Sequence, residues 1–94
     1  MYVVVHEGTS PEEGVSAVAG LLGPDGEVAR QRRLTPGYLG SLLLLERPAK
    51  IGESSFVLLE MWDDRAGPAS GSASPDVGTP VAWKDRPKVF VAVR

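Results

Sequence analysis

The stretch FVLLEMWDDRAGPAS, residues 56–70, carries two conflicting signals about the fold. Residues 55–62, which include Ser55 before the stretch, carry bulky apolar side chains at both odd and even positions. This pattern is typical of a β-strand that is apolar on both faces. A tryptophan, two aspartates and an arginine follow, a composition typical of a chain entering a helix. Gly67, Pro68 and several small residues come next, and they form helices poorly. The sequence therefore predicts a strand over 55–62 whose following helix is replaced by a loop.

Three further segments of the chain are predicted to be strands. They are residues 2–6, 39–47 and 88–93, because each is short and rich in β-branched or other apolar residues. The order strand, helix, two strands, loop and strand is that of a ferredoxin-like α+β fold, an antiparallel four-stranded sheet with helices on one face. Its first and third strands are adjacent and central. We therefore predict a single domain over residues 1–94, with a Gly-, Ser- and Pro-rich loop at 67–80.

The first predicted helix begins at a capping signal. Ser10 can cap the helix, Pro11 suits the first helical position, and Glu13 completes a capping box. Apolar residues then recur at helical spacing, at Val15, Val18, Ala19 and Leu22. The turn-forming residues at 23–26 break this stripe, and residues 27–34 favour a helix again. The first helix is therefore either interrupted or followed by a second, short one.

The strands are apolar on both faces, which an antiparallel sheet with one wet face would not be. The helices can cover one face, but a chain of 94 residues has nothing left to cover the other. A second copy of the sheet would supply that cover. We therefore predict a homodimer that packs through its sheet faces, as a dimeric α+β barrel.

The composition argues against several classes of function. A net charge of −2 disfavours nucleic acid or an anionic membrane as the main partner. The absence of cysteine excludes disulfides, thiolate nucleophiles and zinc–thiolate sites. No stretch approaches the ~20 apolar residues of a membrane span, and the short apolar start does not have the form of a signal peptide. We expect a cytoplasmic protein without a metal site, in which Asp63, Asp64 and Arg65 cap and charge a short helical turn.

The sequence PGYLG at 36–40, an apolar strand, a hairpin and then FVLLEMWDDRA at 56–66 resemble the antibiotic biosynthesis monooxygenase family. This resemblance implies a dimeric α+β barrel from bacterial secondary metabolism, with a pocket between sheet and helices. It implies cofactor-independent oxidation of an aromatic polyketide-like substrate, polyketide cyclisation, or noncatalytic binding of a small molecule or partner protein. Trp62 matches the family's strand-three tryptophan, which often lines the pocket. Heme-degrading relatives need a histidine on the second helix, which this chain lacks, so no cofactor is expected.

His6 and Glu60 are the candidate catalytic residues. Glu60 lies mid-strand on an otherwise apolar face, where a carboxylate needs a partner unless the position is a solvated rim. His6 suits proton abstraction from a phenol or an activated C–H, although a lone histidine is more often structural than catalytic. Because the first and third strands are predicted to be adjacent, His6 can meet Glu60 or Trp62 across that pair if the register allows.

Five side chains are candidates for binding a small aromatic molecule: Trp62, Tyr38, Phe56, Trp83 and Arg86. Trp62 would offer a stacking wall, extended by Phe56, and a free indole N–H; the alternative is that it fills the core. Tyr38 either covers the core or faces the pocket. Trp83 and Arg86 either lead into the last strand or close the pocket or the dimer contact.

Overall fold

The computed structural model describes residues 1–46, 52–66, 73–78 and 81–93, and these form an antiparallel sheet with short helices on one face. The strands are β1 (Tyr2–Pro11), β2 (Tyr38–Leu45), β3 (Glu53–Trp62), β4 (Ala82–Trp83) and β5 (Lys88–Val91). The helices are α1 (Val15–Leu22) and α2 (Glu27–Arg32), and a single 3₁₀ turn (Glu12–Gly14) precedes α1. The prediction of an α+β fold with an antiparallel sheet is therefore confirmed.

The strand order is β2–β3–β1–β4, and β5 also pairs with β1. As predicted, β1 and β3 are adjacent and central, and they pair along their full length from Tyr2 opposite Trp62 to Pro11 opposite Glu53. The other edge of β1 is shared, because Gly8 and Thr9 pair with β4 while residues 2–5 pair with β5. The described sheet thus has five strands and not four. The additional strand arises because the segment before β5 also pairs with β1.

The start of the first helix differs from the prediction. Ser10 does not cap a helix; it lies in β1, opposite Ser54 of β3, and its Oγ donates to the carbonyl of Pro11 at 3.2 Å. The first α-helix begins only at Val15, without a side-chain cap. The capping signal is local, whereas the β1–β3 ladder is long and central, so tertiary pairing overrides it.

The segment after β3 forms a turn and not the predicted helical turn. The backbone N–H of Arg65 donates to Oδ1 of Asp63 at 2.9 Å, and Arg65 Nη2 donates to Oδ2 at 2.8 Å. The hydrogen-bonded Arg65 side chain lowers the pKa of the Asp63 carboxyl, and Asp63 in turn raises the pKa of Arg65. The described part of the following loop, residues 73–78, contains no helix or strand. The rest of the predicted loop, residues 67–72 and 79–80, lies outside the described residues. Residues 47–51 of the predicted hairpin also lie outside them.

The two faces of the sheet differ in cover. The even-numbered residues of β1 and β3 are mostly buried under α1 and α2, where Val18, Leu22, Phe56 and Leu58 form the core. We call this the helix-covered face. The opposite, open face carries the charged residues Glu7 and Lys88 at one end, by strand alternation and register. Its apolar residues are Val3, Val5, Leu42, Leu44, Val57, Leu59, Met61 and Phe90. Leu42 and Leu44 are each 49% exposed there, so the described residues leave this apolar face only partly covered.

Gly8 in β1 leaves room for two aromatic rings. A Cβ at this position would lie 2.7 Å from Cζ of Phe56 and 3.0 Å from Cε3 of Trp83. We expect Gly8→Ala to lower the free energy of unfolding by about 1–3 kcal/mol in urea titrations, because the rings must move to admit the methyl group. Gly20→Ala is the matched control, since a Cβ at Gly20 in α1 meets nothing within 4 Å. A Gly8→Ala variant as stable as the parent would contradict this close packing.

Candidate functional site

His6 and Glu60 meet on the helix-covered face. The register pairs Val4 with Glu60 and His6 with Leu58, which makes His6 and Glu60 diagonal neighbours on adjacent strands. Nε2 of His6 and Oε1 of Glu60 lie 2.6 Å apart, and the two residues are 0% and 1% exposed. The predicted contact is present, and the burial of Glu60 excludes the solvated-rim alternative.

Arg32, the last residue of α2, contacts the second oxygen of Glu60. Its Nε donates to Oε2 at 3.0 Å, and its side chain is 26% exposed. Its Nη2 also donates to the carbonyl of Ala73 at 3.4 Å. A buried carboxylate is costly unless its oxygens are paired and hydrogen-bonded. His6 and Arg32 supply one partner for each oxygen of Glu60.

Ser74 occupies the other side of the His6 ring. Its Oγ lies 3.1 Å from Nδ1 of His6. When Nε2–H donates to the Glu60 carboxylate, Nδ1 is left as an acceptor and the Ser74 hydroxyl donates to it. Arg32, Glu60, His6 and Ser74 thus form a continuous hydrogen-bonded chain, which we call the polar relay. It fixes one tautomer of the imidazole and directs the basic nitrogen toward a hydroxyl group.

Trp83 in β4 holds the serine segment against the histidine. Its ring packs at 5.8 Å from His6 and edge-on at 5.5 Å from Phe56, measured between ring centroids. Its indole N–H donates to the carbonyl of Pro75 at 2.9 Å. Because Pro75 directly follows Ser74, this hydrogen bond helps to place the serine hydroxyl beside His6.

Two grooves flank the segment 73–78. The first groove has a volume of about 320 Å³, and its lining includes Val28, Gln31, Arg32, Thr35, Ser74 and Asp76. The second groove has a volume of about 450 Å³, and its lining includes Ser74, Pro75, Val77, Val81 and Trp83. Both volumes fall within the ~300–1,000 Å³ typical of small-molecule sites. Ser74 lines both grooves, so a ligand in either one reaches the outer end of the polar relay.

The other predicted site residues occupy different places. Trp62 is buried and packs edge-on against Tyr38, with ring centroids 5.2 Å apart, and its indole N–H has no hydrogen-bond partner among the described residues. Phe56 belongs to the core. Trp83 lines the second groove. Arg86 is exposed in a small cleft that includes Val5 and Glu7, on the side of the sheet opposite to His6. Their roles in substrate binding stay predictions.

Two members of the polar relay, Arg32 and Ser74, were not predicted from the sequence. A buried carboxylate such as Glu60 needs a cationic partner, and this is the signal that could have indicated an arginine. Residues 30–33 contain three arginines. Nothing in that run distinguishes Arg32 from its neighbours. Ser74 lies in a tract of small residues that carries no periodic pattern, so only the three-dimensional arrangement identifies it.

No protein-family model, curated protein or solved structure matches this chain. Within the described ranges, no group of three or more His, Cys, Asp or Glu side chains is arranged to hold a metal ion. No helix in that same part of the chain has the length and apolar character needed to cross a membrane. Function must therefore be inferred from the polar relay and the grooves beside it.

Proposed function

We propose that the chain is a small cytoplasmic enzyme of bacterial secondary metabolism that removes a proton from an aromatic, polyketide-like substrate. The polar relay carries this proposal, because it joins a buried base to a carboxylate at one end and to a groove at the other. Cofactor-independent oxygenation is the reaction we favour, and cyclisation is the alternative that begins with the same proton transfer.

His6 would act through Ser74. His6 has no exposed surface, whereas Ser74 contacts it through the hydroxyl and lines both grooves. A phenol or activated C–H of the substrate would give its proton to Ser74 Oγ as Ser74 passes its own proton to Nδ1 of His6. Glu60, 2.6 Å from Nε2, would stabilise the imidazolium that forms. Trp83 would supply an aromatic wall for the substrate in the second groove.

The substrate anion would determine the second half of the reaction. In oxygenation it would reduce molecular oxygen, so that a ring CH₂ becomes a carbonyl, with one oxygen atom retained and the other released as water. In cyclisation the same anion would attack a carbonyl carbon of its own chain and close a carbon–carbon bond, and the alkoxide that forms would take the proton back from the relay. Neither route requires a cofactor, because oxygenation takes its electrons from the substrate and cyclisation transfers none.

We also propose that the fold is ferredoxin-like and that two copies pair through their open faces as a dimeric α+β barrel. The strand order β2–β3–β1–β4 and the helices on one face support the first part. The partly exposed leucines and Phe90 on the open face support the second. Such pairing would leave the polar relay accessible in each subunit, because it lies on the helix-covered face.

The His6→Gln variant tests the enzymatic proposal. We expect it to reduce turnover of hydroxylated tricyclic ketones with an acidic ring CH₂ by 10²–10⁴-fold, because general-base catalysis contributes about that much. An oxygen electrode follows oxygenation, and a spectral change without oxygen uptake reports cyclisation. Ser16→Ala, which changes an exposed residue of α1 that belongs neither to the relay nor to either groove, is the control. Unchanged turnover in a folded His6→Gln variant would overturn the proposal.

The complete burial of His6 favours a second candidate, a noncatalytic binder of planar aromatic molecules. The ligand would rest against Trp83 in the second groove and never meet the base. Equilibrium dialysis measures this binding, and Trp83→Leu should abolish it. Retained affinity in the His6→Gln variant, together with no turnover by the parent, would favour the binder over the enzyme.

A further inference from the structure

We propose that Ser74 is a nucleophile and that the protein transfers acyl groups from small, uncharged esters or thioesters bound in the first groove. This activity goes beyond proton transfer, because the substrate becomes covalently attached to the protein. It depends on the polar relay but not on the oxygenation or cyclisation proposed above.

The geometry has the three parts of an activated serine. The Ser74 hydroxyl lies 3.1 Å from one nitrogen of His6, and the other nitrogen lies 2.6 Å from the Glu60 carboxylate. A nucleophile, a base and a group that orients the base define such a site by geometry and not by sequence order. In serine proteases Nε2 of the histidine faces the serine and Nδ1 faces the carboxylate, whereas here Nδ1 faces Ser74 and Nε2 faces Glu60. The chemistry is unaffected, since whichever nitrogen of a neutral imidazole lacks the proton accepts one.

The base is held firmly and the nucleophile is accessible. His6 is fixed by Glu60 on one side and by the ring of Trp83 on another, and it has no exposed surface. Ser74 is half-buried and lines the first groove. Of the two groups, the hydroxyl is therefore the one that an acyl carbon can reach.

The lining of the first groove indicates the class of substrate. Arg32 contributes a cation, and its Nη2 is bonded to the carbonyl of Ala73, one residue before the nucleophile. The N–H groups of Arg32 that are not used on Glu60 and Ala73 would donate to the oxyanion that develops on an attacked carbonyl. Asp76 also lines the groove and Glu60 already pairs with Arg32, so an anionic acyl group would find no net attraction there. The volume of about 320 Å³ fits a short acyl chain.

The reaction balances without a cofactor. Ser74 Oγ bonds to the acyl carbon while its proton passes to Nδ1 of His6. The tetrahedral intermediate collapses, the bond to the alcohol or thiol breaks, and the leaving group takes the proton from His6. Water then attacks the acyl-serine, gives a proton to His6 and releases the carboxylic acid, and the proton returns to Ser74. The net reaction is hydrolysis of one ester by one water molecule.

Labelling with an alkyl fluorophosphonate tests the nucleophile directly, because it forms an Oγ–phosphorus bond and releases fluoride. We expect intact-mass and peptide analysis to find one label, at Ser74. Ser74→Ala and His6→Gln should each reduce the labelling rate by at least about 100-fold, in line with general-base activation of the hydroxyl. Ser16→Ala, which changes an exposed serine of α1, should label like the parent. No label at Ser74, or an unchanged rate in the His6→Gln variant, would overturn the proposal.

The Ser74→Cys variant provides a second readout, because the parent chain has no cysteine. A thiol beside the His6 imidazole should form an ion pair, and iodoacetamide should alkylate it at pH 6.5 about 10–100-fold faster than the thiol of a Ser16→Cys control. Equal rates would show that the pair does not form and would overturn the proposal. If a substrate turns over by proton transfer but Ser74 is not labelled, the proton-transfer proposal holds and the nucleophile proposal is wrong. If Ser74 is labelled but no such turnover occurs, the nucleophile proposal holds and the proton-transfer proposal is wrong.

Discussion

Arg32→Met is expected to lower the free energy of unfolding by about 2–4 kcal/mol. Arg32 donates to the buried Glu60 carboxylate at 3.0 Å, and its loss leaves that oxygen without its cation. Removing one partner of a fully buried ion pair costs about 3–5 kcal/mol, and the 26% exposure of Arg32 places this case below the upper limit. Methionine retains the apolar stem of the side chain, so the measured difference reports mainly the charge. Urea unfolding followed by circular dichroism provides the measurement.

Arg30→Met is the matched control for this prediction. Arg30 lies on the same helix and pairs with Glu27 at 3.2 Å, but it is 63% exposed. Exposed pairs of this kind contribute at most about 1 kcal/mol, so the control should remain close to the parent. Adding Glu60→Gln to Arg32→Met removes the unpaired charge and should recover part of the lost stability. Equal stabilities of the Arg32→Met and Arg30→Met variants would contradict the assigned role of the Glu60 charge.

The contact between His6 and Glu60 could be predicted from the sequence because it depends on strands. Alternation places each side chain on one face, and the element order makes β1 and β3 neighbours. Those two rules allow both side chains to lie on one face of neighbouring strands. The register, which neither rule sets, brings them within two positions of each other. The unusual position of a carboxylate on an apolar face then required a partner.

The remainder of the relay could not be predicted, because it depends on contacts that have no sequence period. Ser74 lies in a segment without helix or strand, and its place is fixed by Trp83 of β4, a strand of two residues. Ser10 differs from the prediction for the same reason. The capping pattern there favours a helix locally, but the pairing of Ser10 with Ser54 across the sheet decides the backbone conformation. At Ser10, long-range strand pairing outweighs a local helix signal. At Ser74, a hydrogen bond from β4 places a segment whose composition carries no structural pattern.

The site and the open face are independent parts of this architecture. The polar relay lies under the helices and beside the segment 73–78, whereas the exposed leucines of β2 lie on the opposite side of the sheet. A substitution on the open face therefore lies on the other side of the sheet from the polar relay. Fluorophosphonate labelling of Ser74 should persist in any folded variant of that face, which separates effects on assembly from effects on chemistry.

Leu42→Asp is expected to convert a dimer into a monomer. The parent should sediment as a dimer at micromolar concentration, because the open face exposes large apolar side chains that a second sheet would bury. Full burial of a leucine side chain is worth about 1.5–3 kcal/mol, so burying the exposed half of Leu42 is worth about 1 kcal/mol, and two-fold symmetry introduces the change twice. A loss of about 2 kcal/mol would weaken dimerisation about 30-fold, before the cost of burying two carboxylates is added. Sedimentation velocity across a concentration series measures the shift.

Leu34→Asp provides the control, because Leu34 is 85% exposed just beyond α2 and does not belong to the open face. The same charge at that position should leave the dimer intact. If both variants sediment like the parent, Leu42 is not at a subunit interface. If the parent itself is a folded monomer at micromolar concentration, the open face has no second copy of the sheet against it. The dimeric barrel would then be wrong, while the polar relay, which lies entirely within one chain, would still bring Ser74 to His6.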